Sequence, residues 1–162
     1  MSKYLVTGGA GFIGSHIVEE LLRRGHDVRI ADDFSSGRRE NVPAGSLVEM
    51  IDGDVADSDV ARRAVAGRDF VLHQAAIPSV PRSILDPAAS HRANVDGTLN
   101  ILLAARDAGV QRVVFAGSSS VYGNAAELPK REDMPAHPLS PYALQKYMGE
   151  QYCRMFTELY GL

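Results

Sequence analysis

Three side chains in the second half of the chain could together move a proton. Tyr142 and Lys146 lie four positions apart where residues 140–161 read as a helix, so the phenol and the ammonium share one face. A nearby positive charge favours a phenolate, which is a usable general base. A Tyr-x-x-x-Lys match is weak evidence alone, but Ser118, after the fifth predicted strand, could hold a substrate hydroxyl beside that base. The three residues predict proton transfer at the oxygen of a substrate hydroxyl or carbonyl group.

A glycine-rich loop near the amino terminus predicts a dinucleotide site. Residues 7–14 read TGGAGFIG and satisfy the pattern G-x-G-x-x-G through Gly9, Gly11 and Gly14. The loop lies between a predicted strand and a predicted helix. Glycine lets the backbone approach a pyrophosphate closely, and the helix N-terminus offers N–H groups and the positive end of its dipole.

Asp32 ends the strand that follows this helix and predicts which dinucleotide is bound. A carboxylate there can accept both hydroxyls of an adenosine ribose and repels a 2′-phosphate, which favours NAD over NADP. Arg38 and Arg39 keep NADP open as the alternative. Asp33 and Asp54 also stand at strand ends, where a solvated turn carboxylate and a ligand contact are equally good interpretations.

Apolar runs alternate with amphipathic segments along the whole chain, which predicts an α/β fold with a parallel sheet. We expect one Rossmann-type, doubly wound domain over residues 1–162, with strand order 3-2-1-4-5. Every motif above then falls at the carboxyl end of a strand, where such sheets bind ligands. Strands are predicted at 4–6, 28–31, 47–51, 70–73 and 113–116, helices near 13–25, 55–66, 86–109 and 140–161, and a loop over 117–139.

Composition excludes several other functions. The formal net charge of −3 and the lack of a basic run argue against nucleic acid as a partner. The five histidines and one cysteine show no metal-binding spacing, and a single cysteine cannot form an intrachain disulfide. The glycine loop follows the first residues directly and no apolar run reaches membrane-spanning length, so we expect a cytoplasmic protein.

Together these motifs resemble the extended short-chain dehydrogenase/reductase family, in its NAD-dependent epimerase/dehydratase branch, nearest the UDP-hexose 4-epimerases. The resemblance covers nearly the whole chain and rests on residues 7–14, Asp32, 53–54, 73–76, 94–98, 118–123 and 142–146. It implies that pyrophosphate is held by Gly8, Gly11, Phe12, Ile13 and Gly14, the adenosine ribose by Asp32, Asp33 and Gly37, and the adenine by Asp54 and Val55. It places Ala75, Ala76, Asn94, Tyr142 and Lys146 against the cofactor as well, and implies that Ser118, Tyr142 and Lys146 are catalytic.

The resemblance also implies a reaction, in which C4 of a UDP-sugar is oxidised transiently and the hydride returns to the opposite face. Related dehydratases carry Asp and Glu after the catalytic hydroxyl, and related decarboxylases keep a Glu, but this chain has Ser119 and Ser120. A 4-epimerase of UDP-glucose or UDP-N-acetylglucosamine remains. Pro78 stands where galactose-type enzymes usually carry a lysine, which puts glucose as sole substrate in doubt.

Two other functions stay open. Members of this family continue into a C-terminal domain that holds the nucleotide sugar, whereas this sequence stops at Leu162, so we expect that domain and half of the sugar site to be absent. The chain could therefore be a dinucleotide-binding module without turnover. It could also be an NAD(P)-dependent carbonyl reductase that uses the same three residues. The expected partners are a UDP-hexose and a second copy of the chain in a homodimer.

Overall fold

A computed structural model describes all 162 residues and contains one five-stranded parallel sheet. The strand order is β3-β2-β1-β4-β5, which confirms the predicted topology. Thr7 at the end of β1 pairs with Ala31 on one side and with His73 on the other, so neighbouring strands finish at one level. The strands are β1 Lys3–Thr7, β2 Asp27–Asp32, β3 Val48–Asp52, β4 Phe70–His73 and β5 Arg112–Phe115.

Helices connect the strands and cover both faces of the sheet. Several begin at a side chain that accepts a hydrogen bond from the first turn, as Asp57, Ser79, Asp86 and Ser140 do. The helices are α1 Phe12–Arg23, α2 Ser58–Val65, α3 Val80–Leu85, α4 Pro87–His91, α5 Gly97–Asp107 and α6 Pro141–Tyr160, with a π-turn at Arg92–Asp96 and 3₁₀ turns at Arg39–Asn41 and Ser119–Tyr122.

Two local predictions were wrong. No helix was predicted between the strand at 70–73 and residue 86, but α3 begins at Val80. There Pro81 occupies a first-turn position that needs no N–H donor, and the Ser79 hydroxyl accepts from the Arg82 N–H. The long helix predicted over 86–109 is instead α4, the π-turn and α5 in succession. Nothing in the sequence pattern marks the extra residue of a π-turn.

The core forms on both sides of the sheet, as a parallel sheet with helices on each face requires. Leu5 and Val6 are successive residues of β1 and point to opposite faces, each fully buried. Leu5 packs in a cluster with α2 and α5, and Val6 packs with α1 residues such as Val18. None of the helices combines the length and the hydropathy needed to cross a membrane.

Candidate dinucleotide and catalytic site

A cleft of about 570 Å³ lies at the carboxyl ends of the strands, on both sides of the point where β1 separates β2 from β4. This is where an open α/β sheet binds its ligand. The cleft brings together fourteen of the fifteen predicted cofactor residues, and Asn94 is the exception. Those lining residues are Gly8, Gly11, Phe12, Ile13, Gly14, Asp32, Asp33, Gly37, Asp54, Val55, Ala75, Ala76, Tyr142 and Lys146.

The glycine loop is packed so closely that side chains would not fit. Gly8 has φ +65°, and a Cβ there would lie 2.7 Å from the Ala75 nitrogen. A Cβ on Gly14 would lie 2.1 Å from the Gly8 carbonyl oxygen. Gly11 is the N-cap of α1 and offers no side-chain acceptor to the first-turn N–H groups. These N–H groups are therefore available for an anion such as pyrophosphate, which fits a dinucleotide.

Asp32 is buried at the end of β2 and holds two backbone segments that border the cleft. One carboxylate oxygen accepts from the Ala10 N–H at 3.0 Å, and the other accepts from the Phe34 N–H at 2.9 Å. Each oxygen retains acceptor capacity, as binding two ribose hydroxyls requires. A Cβ on Gly37 would approach Asp32 Oδ1 to 2.8 Å, so glycine keeps this carboxylate accessible.

The arginines that could have bound a 2′-phosphate have other partners. Arg38 pairs with Glu40 at 3.4 Å, and Arg39 pairs with Asp52 while its guanidinium stacks 4.0 Å from the centre of the Phe34 ring. These contacts agree with NAD rather than NADP as the cofactor.

Asp54, predicted at the adenine, has protein partners on both oxygens. Its Oδ1 accepts from the Ala56 N–H at 2.8 Å, and its Oδ2 pairs with Arg92 of the π-turn. Arg92 also lines the cleft, which the sequence analysis did not anticipate. No motif marks this arginine, because it is 38 residues from Asp54 in sequence and only the fold brings the two together.

Lys146 is a buried cation in the wall of the cleft. Its Nζ donates to the Ala116 carbonyl at 3.0 Å and lies 4.8 Å from the centre of the Phe115 ring. Burial lowers the pKa of Lys146 to about 8, and the nearby Glu150 carboxylate opposes that shift. Tyr142 lines the same cleft one helical turn earlier, and its backbone N–H donates to Ser83 Oγ at 3.0 Å.

Ser118 lies just beyond the cleft lining, in the turn after β5. Its hydroxyl is 2.8 Å from Ser120 Oγ and also accepts from the Ser120 N–H at 3.3 Å. Glu150 lies against the same turn, since a Cβ on Gly117 would approach its Oε1 to 2.9 Å. Burial raises the pKa of Glu150, although a hydrogen bond from the Ser118 backbone opposes the shift. The catalytic roles of Ser118, Tyr142 and Lys146 stay predictions.

Asn94 is 2% exposed and is held by protein groups rather than facing the cleft. Its contact with a nicotinamide ribose stays a prediction. His73, also buried, connects the end of β4 to Thr7 Oγ1 at 2.6 Å and to Thr98 Oγ1 at 3.0 Å. Thr7 Oγ1 in turn accepts from the Gln74 and Ala75 N–H groups beside the glycine loop.

The cleft also contains residues that the sequence analysis did not assign to a site. They lie at or after the ends of β2, β3, β4 and β5, or come from the α4 and π-turn region. A rule that every residue just after a strand end is a candidate would have found most of them. They include Gln74, Ile77, Pro78, Ala89, Ala93, Ala116 and Gly117.

Known proteins share this fold and much of this sequence. UDP-glucose 4-epimerase from Mycolicibacterium smegmatis is 44% identical over 99% of this chain and 53% of its own length. A solved UDP-N-acetylglucosamine 4-epimerase from Methanobrevibacter ruminantium is 38% identical, with a TM-score of 0.94, over 99% of this chain and 52% of its own. A UDP-glucose 4-epimerase of Thermus thermophilus, solved with NAD, is 43% identical, with a TM-score of 0.92 and the same coverage.

The chain spans about half the length of the curated relatives it matches. The model of the NAD dependent epimerase/dehydratase family matches residues 4–162, which include the glycine loop, Asp32 and the Tyr142–Lys146 pair. The chain belongs to the NAD-dependent epimerase/dehydratase family.

Proposed function

We propose that the protein carrying this chain is a nucleotide-sugar 4-epimerase that acts on UDP-glucose or UDP-N-acetylglucosamine. The observation that carries the proposal is that Tyr142 and Lys146 line the same cleft as the glycine loop and Asp32. A general base and a cation therefore adjoin the place where a dinucleotide fits. The relatives with these two substrates in their names support the sugar class.

In this mechanism the Tyr142 phenolate accepts the proton of the sugar O4 hydroxyl and later returns it. The Lys146 ammonium stabilises the phenolate and orients the nicotinamide ribose, and Ser118 hydrogen-bonds O4. NAD, held by the glycine loop and Asp32, would supply reversible hydride transfer at C4 of the sugar. The residues after Ser118 favour epimerisation over dehydration: Ser119 and Ser120 carry hydroxyls, and elimination of water needs an acid and a base there.

The test is turnover by the full-length protein with UDP-glucose and with UDP-N-acetylglucosamine, with products separated by chromatography. Tyr142→Phe should abolish most of the turnover and leave NAD affinity nearly intact, because only the phenolic oxygen is lost. Tyr147→Phe is the matched control, because Tyr147 belongs to the same helix but does not line the cleft.

Each other outcome identifies a different function. Net release of NADH, or dependence on NADPH with a free carbonyl substrate, would indicate a reductase. NAD binding without turnover of either sugar would indicate a dinucleotide-binding module. Epimerisation at the parental rate by Tyr142→Phe would exclude Tyr142 as the proton acceptor.

A further inference from the structure

Two buried amide side chains connect α6, which carries Tyr142 and Lys146, to the loop after β4. Gln145 lies on α6 between Tyr142 and Lys146 and is 3% exposed, and Asn94 is 2% exposed. Gln145 Oε1 accepts from Asn94 Nδ2 at 2.9 Å and from Ser90 Oγ at 2.6 Å. Neither amide takes part in the proposed reaction steps. A buried amide costs free energy unless it is hydrogen-bonded, so the bonds that these two make offset that cost.

A backbone group decides the orientation of both amides. The Ile77 N–H can only donate, and it donates to Asn94 Oδ1 at 2.7 Å, so Asn94 Nδ2 must face the other way. Nδ2 then meets Gln145, which must present its oxygen. Asn94 Nδ2 also lies 3.3 Å from the Ile77 carbonyl, so Asn94 holds both polar groups of that residue's backbone. Ile77 lines the cleft.

The backbone around Asn94 departs from regular α-helix where this contact is made. Asn94 occupies the centre of the π-turn Arg92–Asp96, between α4 and α5. A π-turn inserts one residue into a helix at some cost in hydrogen-bond geometry, and such turns are frequent at functional sites. In this chain the turn holds an amide that reaches the cleft loop on one side and α6 on the other.

Helix geometry carries the effect of Gln145 to its neighbours. Gln145 lies three residues after Tyr142 and immediately before Lys146, and a helix moves as one body over so short a distance. Rotation or sliding of α6 would break the bonds at Gln145 Oε1 and displace both side chains from the cleft together. Tolerance for such a shift is small, because an error of about 1 Å in a catalytic group can cost a hundredfold in rate.

We propose that Gln145 is a positioning residue, which through Asn94 sets the rotation of α6 and thereby the placement of Tyr142 and Lys146 relative to the loop at Ile77. The inference rests on the function proposed above, because it assigns Gln145 its role at the same site. Gln145 itself contacts neither substrate nor cofactor in this account. It acts by keeping the base and the cation in place.

The decisive comparison is between two replacements of Gln145 in the full-length protein. Gln145→Met keeps the length of the side chain but removes the acceptor of two hydrogen bonds, one from Asn94 Nδ2 and one from the Ser90 hydroxyl. Gln145→Glu keeps an oxygen acceptor at the same position. We expect Gln145→Met to lower kcat for the UDP-sugar about tenfold with little change in KM, and Gln145→Glu to retain more of the parental kcat.

Arg29→Met separates positioning from general stability. Arg29 is also nearly buried, but its guanidinium donates to carbonyls of Ala64 and Ala66 at the end of α2, away from the cleft. We expect this control to lower Tm without lowering kcat at temperatures well below Tm. If both variants lose kcat in proportion to their loss of Tm, Gln145 has only a structural role and the proposal is overturned. If Gln145→Met does not fold, Ser90→Ala removes one donor to Gln145 and takes its place.

NAD affinity, measured by calorimetry, keeps the two proposals distinguishable. If the parental protein turns over neither UDP-sugar, the proposed function fails, but Lys146 and Ile77 still line the dinucleotide cleft. A several-fold weaker NAD affinity in Gln145→Met, partly restored in Gln145→Glu, would then support the positioning role. Parental kcat and parental NAD affinity in Gln145→Met would overturn it.

Discussion

Asp32 has one observed role and one predicted role. Its carboxylate holds the backbone of Ala10 and Phe34, and it is predicted to bind ribose hydroxyls. Asp32→Ala should weaken NAD binding about tenfold or more, because the charge-assisted hydrogen bonds to the ribose are lost. It should also reduce the preference for NAD over NADP, because the carboxylate no longer repels a 2′-phosphate. Calorimetry with each cofactor measures both effects.

Asp32→Asn refines this test because it removes the charge and keeps the side-chain volume, at the cost of one of the two backbone bonds to Ala10 and Phe34, since Nδ2 cannot accept. It should relax the discrimination against NADP more than it weakens NAD. Asp107→Ala is the control, since Asp107 is exposed and pairs with Arg106 outside the cleft. Unchanged affinity of Asp32→Ala for both cofactors would remove Asp32 from the site.

The buried ammonium of Lys146 lowers the stability of the folded protein, although its charge is needed for its predicted catalytic role. The folded protein carries a buried ammonium below pH about 8, whereas the unfolded chain holds that proton up to pH about 10.5. The folded state is therefore disfavoured below pH about 8, and its stability should rise as pH increases from about 8 to about 10.5.

Lys146→Met should accordingly raise the free energy of unfolding at neutral pH, by on the order of 2 kcal/mol, although it removes a predicted catalytic group. The advantage should shrink above pH about 8 and vanish near pH about 10.5. Urea unfolding of both proteins across this range measures the difference. A variant less stable than the parent at neutral pH would show that the hydrogen bond to Ala116 outweighs the cost of burying the charge.

At the scale of elements, His73 joins β1, β4 and α5 through its two ring nitrogens. Burial lowers the pKa of His73 to about 3, and the positive charge of Lys146 contributes to the shift. An unfolded histidine binds its proton near pH 6.5, so the unfolded state gains protons first as pH falls, and stability is lost progressively between pH about 6.5 and about 3.

His73→Gln keeps a donor and an acceptor but does not titrate in this range. Between pH about 6.5 and about 5, the parental protein should lose on the order of 2 kcal/mol more of its free energy of unfolding than this variant does. Urea unfolding at both pH values tests the difference. Parallel losses in the two proteins would mean that His73 does not contribute to the acid sensitivity.

The elements also show how far sequence reasoning reaches. Alternating apolar runs predicted five strands correctly, and their order was correct because a glycine loop after the first strand is typical of the Rossmann arrangement. The glycine loop and Asp32 were located because their chemistry is local in sequence. Arg92 and the Asn94–Gln145 pair were not located, because their partners are dozens of residues away and only packing brings them together. The π-turn was missed because no sequence pattern marks its extra residue.

At the scale of the whole molecule, β5 is an edge strand of the sheet, and its Val114 side chain is 48% exposed. An exposed apolar edge favours pairing with another chain. A polypeptide limited to these 162 residues should therefore self-associate, and Val114→Lys should weaken the association. Sedimentation at several concentrations measures it.

Leu159 on α6 is 64% exposed and offers a second apolar contact. If Leu159→Lys weakens the association and Val114→Lys does not, the final helix is the contact. A monomer at all concentrations would contradict both. The homodimer expected for the full-length protein stays a prediction, as does its UDP-hexose partner.

The hydrogen bonds through His73 can run in only one direction. At one end, the Gln74 and Ala75 N–H groups occupy both lone pairs of the Thr7 hydroxyl, whose own proton must therefore go to His73 Nδ1. At the other end, Thr98 donates to the Asn94 carbonyl and so must receive from His73 Nε2. Backbone groups cannot exchange donor for acceptor, so neither end can reverse. The His73 imidazole, whose pKa the Lys146 charge helps to lower, is thus no relay for protons, and in the proposed mechanism a proton on Tyr142 would have to reach solvent or return to the sugar by another route.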